Sequence, residues 1–126
     1  MYFLDTCAMI EYVKDNPRFV DIIRSHKFHT SIFQLMELYY ITLIEENQEL
    51  AEKYFESFSL VKVTIEEKTL KNAMKVRLNF QNQKKKVSYV DALGYQYAIE
   101  NNLKFVTSDP GFDKLDSVEF IPEMEM

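Results

Sequence analysis

The chain of 126 residues contains no tryptophan, one cysteine, two glycines and three prolines. A lone cysteine has no internal partner, so no disulfide framework holds the protein together and nothing calls for an oxidising compartment. So little glycine and proline excludes collagen-like and low-complexity classes, while 47% hydrophobic residues supply the material for a core. No run approaches the roughly 18 apolar residues of a membrane span. Met1-Tyr2-Phe3-Leu4 is followed by an acid, without the basic and apolar regions of a secretory signal. The expectation is a cytoplasmic protein with one domain over residues 1–126, burying roughly two thirds of its unfolded surface. Positive charge is also scarce: 15 Lys plus Arg stand against 20 Asp plus Glu, for a net charge of -5. Taken as a total, that balance argues against a nucleic-acid partner, because phosphates are contacted mostly by Lys and Arg.

Short apolar runs alternate with stretches of helical period. Residues 2–4, 28–30, 60–63, 104–107 and 119–121 read as strands. Between them the pattern predicts short helices over 6–14 and 17–25, the second opening with Pro17. Longer helices are predicted over 32–45, 48–58, 65–80 and 88–101. In the last, Val90, Leu93, Gly94, Tyr97 and Ala98 repeat at helical spacing, and Ser88 with Asp91 has the spacing of a capping box. Strands separated by helices require crossover connections. The fold class is therefore α/β, a mainly parallel central sheet with helices on both faces in three layers. Residues 81–86 form the most polar, loop-like segment.

Most acids lie in polar or mixed-charge surroundings that suit a solvated surface, but four do not. Asp5 is the only charged residue among the first ten, and Glu37 the only one from Phe28 to Ile44. Asp91 is alone between Val87 and Ile99, as is Asp109 between Phe105 and Phe112. Removing a carboxylate from water costs several kcal/mol unless cations or donors compensate, so each asks for a reason. In a parallel sheet, ligands collect at the carboxyl edge of the strands. Asp5 ends the first strand, Asp109 follows the 104–107 strand, and Glu37 and Asp91 occupy early turns of helices that border the same edge. Four convergent carboxylates without His or Cys make a hard-oxygen site suited to Mg2+ or Mn2+ rather than zinc. Such a site serves phosphoryl chemistry, with one or two ions activating water and neutralising a scissile phosphate. Singly the acids are weak evidence: a helix N-terminus welcomes Asp91, and Asp109-Pro110-Gly111 also reads as a plain turn.

At these residues the chain resembles the PIN-domain ribonucleases, most closely the VapC-type toxins of toxin-antitoxin pairs. Tyr-Phe-Leu-Asp-Thr (2–6) is similar to the family's opening strand and first acid. Ser-Ile-Phe-Gln-Leu-Met-Glu-Leu (31–38) is similar to the segment carrying the helical Glu. Residues 87–98 resemble the helix of the third acid, and Phe-Val-Thr-Ser-Asp-Pro-Gly-Phe (105–112) the strand and turn of the fourth. The resemblance implies a compact α/β/α fold, Mg2+ or Mn2+ held by Asp5, Glu37, Asp91 and Asp109, and endonucleolytic cleavage of RNA. It also implies a small antitoxin partner and a homodimer. The fourth motif departs from the family in Ser108 and in Pro110-Gly111, with Asp113 available as a supplementary acid. The stretch 81–86 is also longer than the usual connection. Two rival phosphate chemistries fail on named residues: a haloacid-dehalogenase site needs an acid at position 7, which is Cys, and a receiver domain needs an acid where Val61-Lys62-Val63-Thr64 stands.

Charge by segment alters the meaning of the total. Residues 1–61 hold 5 basic and 10 acidic side chains, residues 62–86 hold 8 and 2, and residues 87–126 hold 2 and 8. The middle segment carries Lys68, Lys71 and Lys75 on one helix face, then Lys84, Lys85 and Lys86. These read either as an RNA-phosphate track or as a solvated face; position favours the track for Lys84–Lys86. Arg77 falls on the apolar side of its helix, which fits a phosphate ligand, a partner for a buried acid or a snorkelling side chain. Thr6, Thr107 and Ser108 adjoin the acids, either as simple caps or as groups orienting a carboxylate, a water or a phosphate. Tyr39, Tyr40, Tyr54 and Phe55 read as core or as a dimer surface, and the acidic tail 119–126 as a frayed end or a partner contact. The rival to a toxin nuclease is a PIN-like enzyme of RNA maturation or decay, or an inactive binding module.

Overall fold

The computed structural model describes residues 1–123; residues 124–126, the last part of the acidic tail, lie outside the described residues. Five parallel strands form the sheet: β1 (Tyr2–Leu4), β2 (Phe28–Ser31), β3 (Lys62–Val63), β4 (Lys104–Thr107) and β5 (Val118–Phe120). Their spatial order is β3-β2-β1-β4-β5, with every neighbouring pair parallel. The chain thus steps outward from β1 to β3, then returns across the sheet to β4. That reversal makes a switch point between β1 and β4, where the two following connections diverge and leave a crevice.

Helices fill both faces. α1 (Thr6–Val13), α2 (Pro17–Ser25), α3 (Ile32–Glu45) and α4 (Gln48–Ser59) connect β1 to β2 and β2 to β3; α5 (Glu67–Asn82) and α6 (Tyr89–Glu100) lead to β4. Small oxygen-bearing residues start most of them: Asp5, Asn16, Ser31, Asn47 and Ser88 each accept a backbone N–H of the first turn. α5 starts at Glu66 without such a bond.

The two-residue period of the strands divides the core. Phe3 and Phe105 point toward α5 and α6, into a cluster with Ala73, Phe80, Leu93 and Ala98. Leu4 and Val106, one residue on, point the other way, among Ala8, Met9, Phe19, Leu35 and Phe58. All four strand residues are wholly buried, as expected for a parallel sheet covered on both sides. Each such side chain contributes roughly 1.5–3 kcal/mol by leaving water. Phe105 also packs edge-on against Tyr95 and Phe112, tying α6 and the 3-10 turn Pro110–Phe112 to the centre of the sheet.

Several predicted boundaries move. The third strand is confined to Lys62–Val63, which pair with Thr30 and Ser31 of β2. Leu60, predicted as its first residue, instead caps α4 and is 88% exposed. α5 starts two residues later than predicted and runs on to Asn82, so the basic loop shifts from 81–86 to residues 83–88. β5 lies one residue earlier than expected, in register with Phe105 to Thr107.

Candidate active site

Register places the first and fourth acids side by side. Leu4 pairs with Val106, so the chain leaves β1 and β4 at the same level; the Asp5 N–H donates to the Val106 carbonyl at 3.2 Å. Asp5 is wholly buried and caps α1, its Oδ1 accepting from the Ala8 N–H at 2.7 Å. Its Oδ2 accepts from the Thr107 hydroxyl. The same hydroxyl oxygen accepts the Asp109 N–H at 3.0 Å, so Thr107 links the two acids directly. Asp109 in turn closes its own turn, Oδ1 accepting from the Gly111 N–H at 2.9 Å.

α1 and α3 bring in the helical Glu. Thr6 Oγ1 donates to Glu37 Oε1 at 2.8 Å, one residue beyond Asp5. The two threonines therefore bond to carboxylates rather than only to backbone. Asp91 sits in the first turn of α6, its N–H held by Ser88 Oγ at 3.0 Å. Ser108 is buried, and its hydroxyl has no conventional hydrogen-bond acceptor or donor; it lies against the Cys7 thiol. Asp113 is exposed at the end of the 3-10 turn.

Electrostatics ties the acids into one neighbourhood. Burial, then the charge of Asp91, hold the Asp5 carboxyl well above the usual range against the opposing bonds from Thr107 and Ala8; Asp109 adds to the rise. Asp91 is pushed up to about 6 by burial and by the charges of Glu37 and Asp109, with the Ser88 bond opposing. Among the described residues the charges that shift these two groups, those of Glu37, Asp91 and Asp109, are all negative. Burial and the charge of Asp5 likewise push the Cys7 thiol up to about 12, which makes it a poor nucleophile. Among the described residues no three carboxylate, His or Cys side chains are drawn together tightly enough to enclose an ion. The acids stand close enough to repel one another without forming a closed cage.

Residues 2–118 match the profile of the PIN domain. The chain belongs to the PIN domain family. Solved structures similar in fold include a toxin-antitoxin complex from Klebsiella pneumoniae, at TM-score 0.77 and 13% identity, covering 98% of this chain and 100% of that one. VapBC2 from Rickettsia felis, bound to a promoter DNA fragment, aligns at TM-score 0.75 and 16% identity over 96% and 97% of the two chains. Mycobacterium tuberculosis VapC20, a Sarcin-Ricin loop cleaving toxin, aligns at 0.66 and 15% over 82% and 85%. No curated protein matches.

In this PIN domain the predicted basic residues gather beside the α6 N-terminus. A cleft of about 390 Å³ is lined by Arg77, Gln81, Lys85, Lys86, Val87 and Ser88. Lys84, in the left-handed region at φ 61, turns the chain out of α5. Arg77 donates from Nε to the Val87 carbonyl at 3.0 Å and lies 4.0 Å over the Tyr89 ring. It is thus a strut between α5 and α6; no buried acid is its partner in these bonds. Lys68, Lys71 and Lys75 are solvated along α5.

One polar residue near the site was not anticipated. Gln34 is wholly buried; its Oε1 accepts from the Ser31 hydroxyl and its Nε2 donates to the Val90 carbonyl at 3.0 Å, next to Asp91. Gly94 makes room for it: a Cβ there would lie 2.7 Å from Gln34 Nε2, and 2.8 and 2.9 Å from the Phe3 and Phe105 rings. The signal was Ser31-Ile32-Phe33-Gln34, which has capping-box spacing. Gln34 ties α3, the carrier of Glu37, to α6, the carrier of Asp91.

Proposed function

We propose that this PIN domain is an endoribonuclease that requires Mg2+ or Mn2+ and acts as the toxin of a two-component pair. The observation that carries the reading is the gathering of Asp5, Glu37, Asp91 and Asp109 around the switch point, with no positive charge acting on the two that burial raises most. Carboxylates placed where they repel one another are stabilised by a bound cation, and hard oxygen donors suit Mg2+ or Mn2+. One ion or two, held there, would supply charge neutralisation at a scissile phosphate and activation of the attacking water.

The chain's own contribution is position. Asp5 is fixed from two sides by Thr107 and the α1 backbone, and Glu37 by Thr6. Asp91 and Asp109 are partly exposed, so a substrate phosphate could reach both. Lys85 and Lys86, with Arg77, line the cleft on the α6 side, and with Lys84 just before them in the chain they would provide cations for the RNA backbone. Asp113, exposed beyond Asp109, is a supplementary acid within the same turn, and Ser108 is buried just before Asp109.

The toxin assignment draws on the solved structures of like fold, several of which are toxin-antitoxin complexes. A structured RNA loop is the first substrate to test, since one of those proteins is described as cleaving the Sarcin-Ricin loop. A protein partner is supported by the outer stripe of α3, where Ile32, Met36, Tyr40 and Ile44 are exposed, at up to 65% for Ile44. A small antitoxin or a second copy of the chain would cover that stripe. An RNA substrate places the protein in the cytoplasm, and no described helix is long and apolar enough to cross a membrane.

Purified protein incubated with RNA in EDTA, and with Mg2+ or Mn2+, tests the enzyme. Cleavage is expected only with the cation and is expected to be lost in Asp5→Asn and Asp91→Asn. Cleavage in EDTA, or full activity in both variants, refutes the mechanism. Growth arrest on induction, absent in Asp5→Asn, tests the toxin.

A further inference from the structure

Tyr89 is the first residue of α6 and 61% exposed, two residues before Asp91. A solvated tyrosine normally turns freely, but this ring is braced. The Arg77 guanidinium lies 4.0 Å from its centroid, and Arg77 is itself anchored by the Nε bond to the Val87 carbonyl. Arg77 also lines the cleft of about 390 Å³ with Gln81, Lys85, Lys86 and Ser88. A fixed aromatic face, a planar cation and two lysines therefore meet at the edge of the candidate active site.

We propose that Tyr89 and Arg77 form a stacking platform that seats an unpaired RNA base next to the phosphate presented to Asp91. The inference rests on the nuclease reading for its purpose but not for its test. Cations alone would bind any RNA through phosphate; an exposed ring adds a contact that only a base free of its own stack and pair can make. Gln81, whose amide both donates and accepts, lines the same cleft and can meet the base edge. A volume near 390 Å³ lies in the range that holds a small ligand. The platform would favour loops and bulges over duplexes, and would act on binding rather than on the bond-breaking step.

The chain has no tryptophan, so Tyr89→Trp introduces a single indole whose emission reports on this site alone. In EDTA, where no cleavage occurs, a ten-nucleotide single-stranded RNA is expected to quench that emission. The same strand in a duplex, an abasic strand of equal length and polyglutamate are expected to leave it nearly unchanged. Tyr89→Ala is expected to weaken binding of the single strand about tenfold, and Tyr89→Phe to restore it. With Mn2+, Tyr89→Ala should raise KM and leave kcat near the parent value. No quenching by the single strand, equal quenching by duplex or abasic strand, or unchanged affinity in Tyr89→Ala overturns the platform. Quenching by polyglutamate but not RNA makes the cleft a protein-docking surface and overturns it too. Quenching with no cleavage of single-stranded, structured-loop or total cellular RNA under any cation defeats the nuclease reading while leaving the platform standing.

Discussion

Replacing Asp91 by Asn should make the protein more stable and less active at once. The carboxyl is lifted from 3.8 to about 6 in the fold, by burial first and by the charges of Glu37 and Asp109 next. At about 1.4 kcal/mol per pH unit, that corresponds to roughly 3 kcal/mol against the ionised form. The sign follows from the direction. A carboxyl raised by folding holds its proton more tightly in the native state, so native stability falls as pH climbs from about 4 to 6 and stays lower above. Asn keeps the shape and can still accept the Ser88 hydroxyl, but it carries no charge. For a chain of this length, about 3 kcal/mol corresponds to a rise in Tm of roughly 10 °C at pH 7.5. The gain should shrink steadily below pH 6 and vanish near pH 4. Thermal melts of both proteins across pH 4 to 8, in EDTA, measure it. Millimolar Mn2+ should then raise the parent's Tm more than the variant's, closing the gap. An Asp91→Asn protein that melts at or below the parent at pH 7.5 refutes the account of mutual repulsion.

Three further outcomes follow from packing and bonding around the same edge. Gly94→Ala forces a methyl group into Gln34, Phe3 and Phe105, and a urea midpoint should show a loss of about 1–3 kcal/mol or more. Combining it with Gln34→Ala should recover part of that loss, because one of the three clashing atoms is removed; additive losses would contradict the close approach. Thr107→Val keeps the volume but strips the donor from buried Asp5 and the acceptor from the Asp109 N–H, for a loss of about 1–3 kcal/mol that grows as rising pH ionises Asp5. Ser88→Ala removes the cap of α6 and should lower stability by about 0.5–2 kcal/mol, read from the same urea curves.

The sheet, and the isolation of the four acids in apolar stretches, could be read from the chain because both rest on short-range pattern. Phe105-Val106-Thr107 is apolar enough to be a strand wherever it goes, and Asp109 stands out from it by charge alone. What each carboxylate touches was not legible. Thr107 meets Asp5 only because Leu4 pairs with Val106, a register decided across about a hundred residues of intervening chain. Arg77 was placed correctly on the inward side of its helix, yet none of the three roles weighed for it was the strut to Val87 and Tyr89. Those partners lie past a loop whose path no helical wheel contains. Gln34 escaped notice because an amide in an apolar run carries no charge to mark it, although its spacing from Ser31 was informative.

The bond between Thr107 and Asp5 joins residues 102 positions apart. Ribosomes deliver Asp5 well before Thr107 and Asp109, and β1 lacks its neighbour β4 until Lys104 has been added. A nascent or prematurely terminated chain ending before that point holds Asp5 without Thr107, Asp109 or the wall they form. Asp5 therefore gains its hydroxyl donor only once β4 lies against β1, and a truncated product lacks that bond.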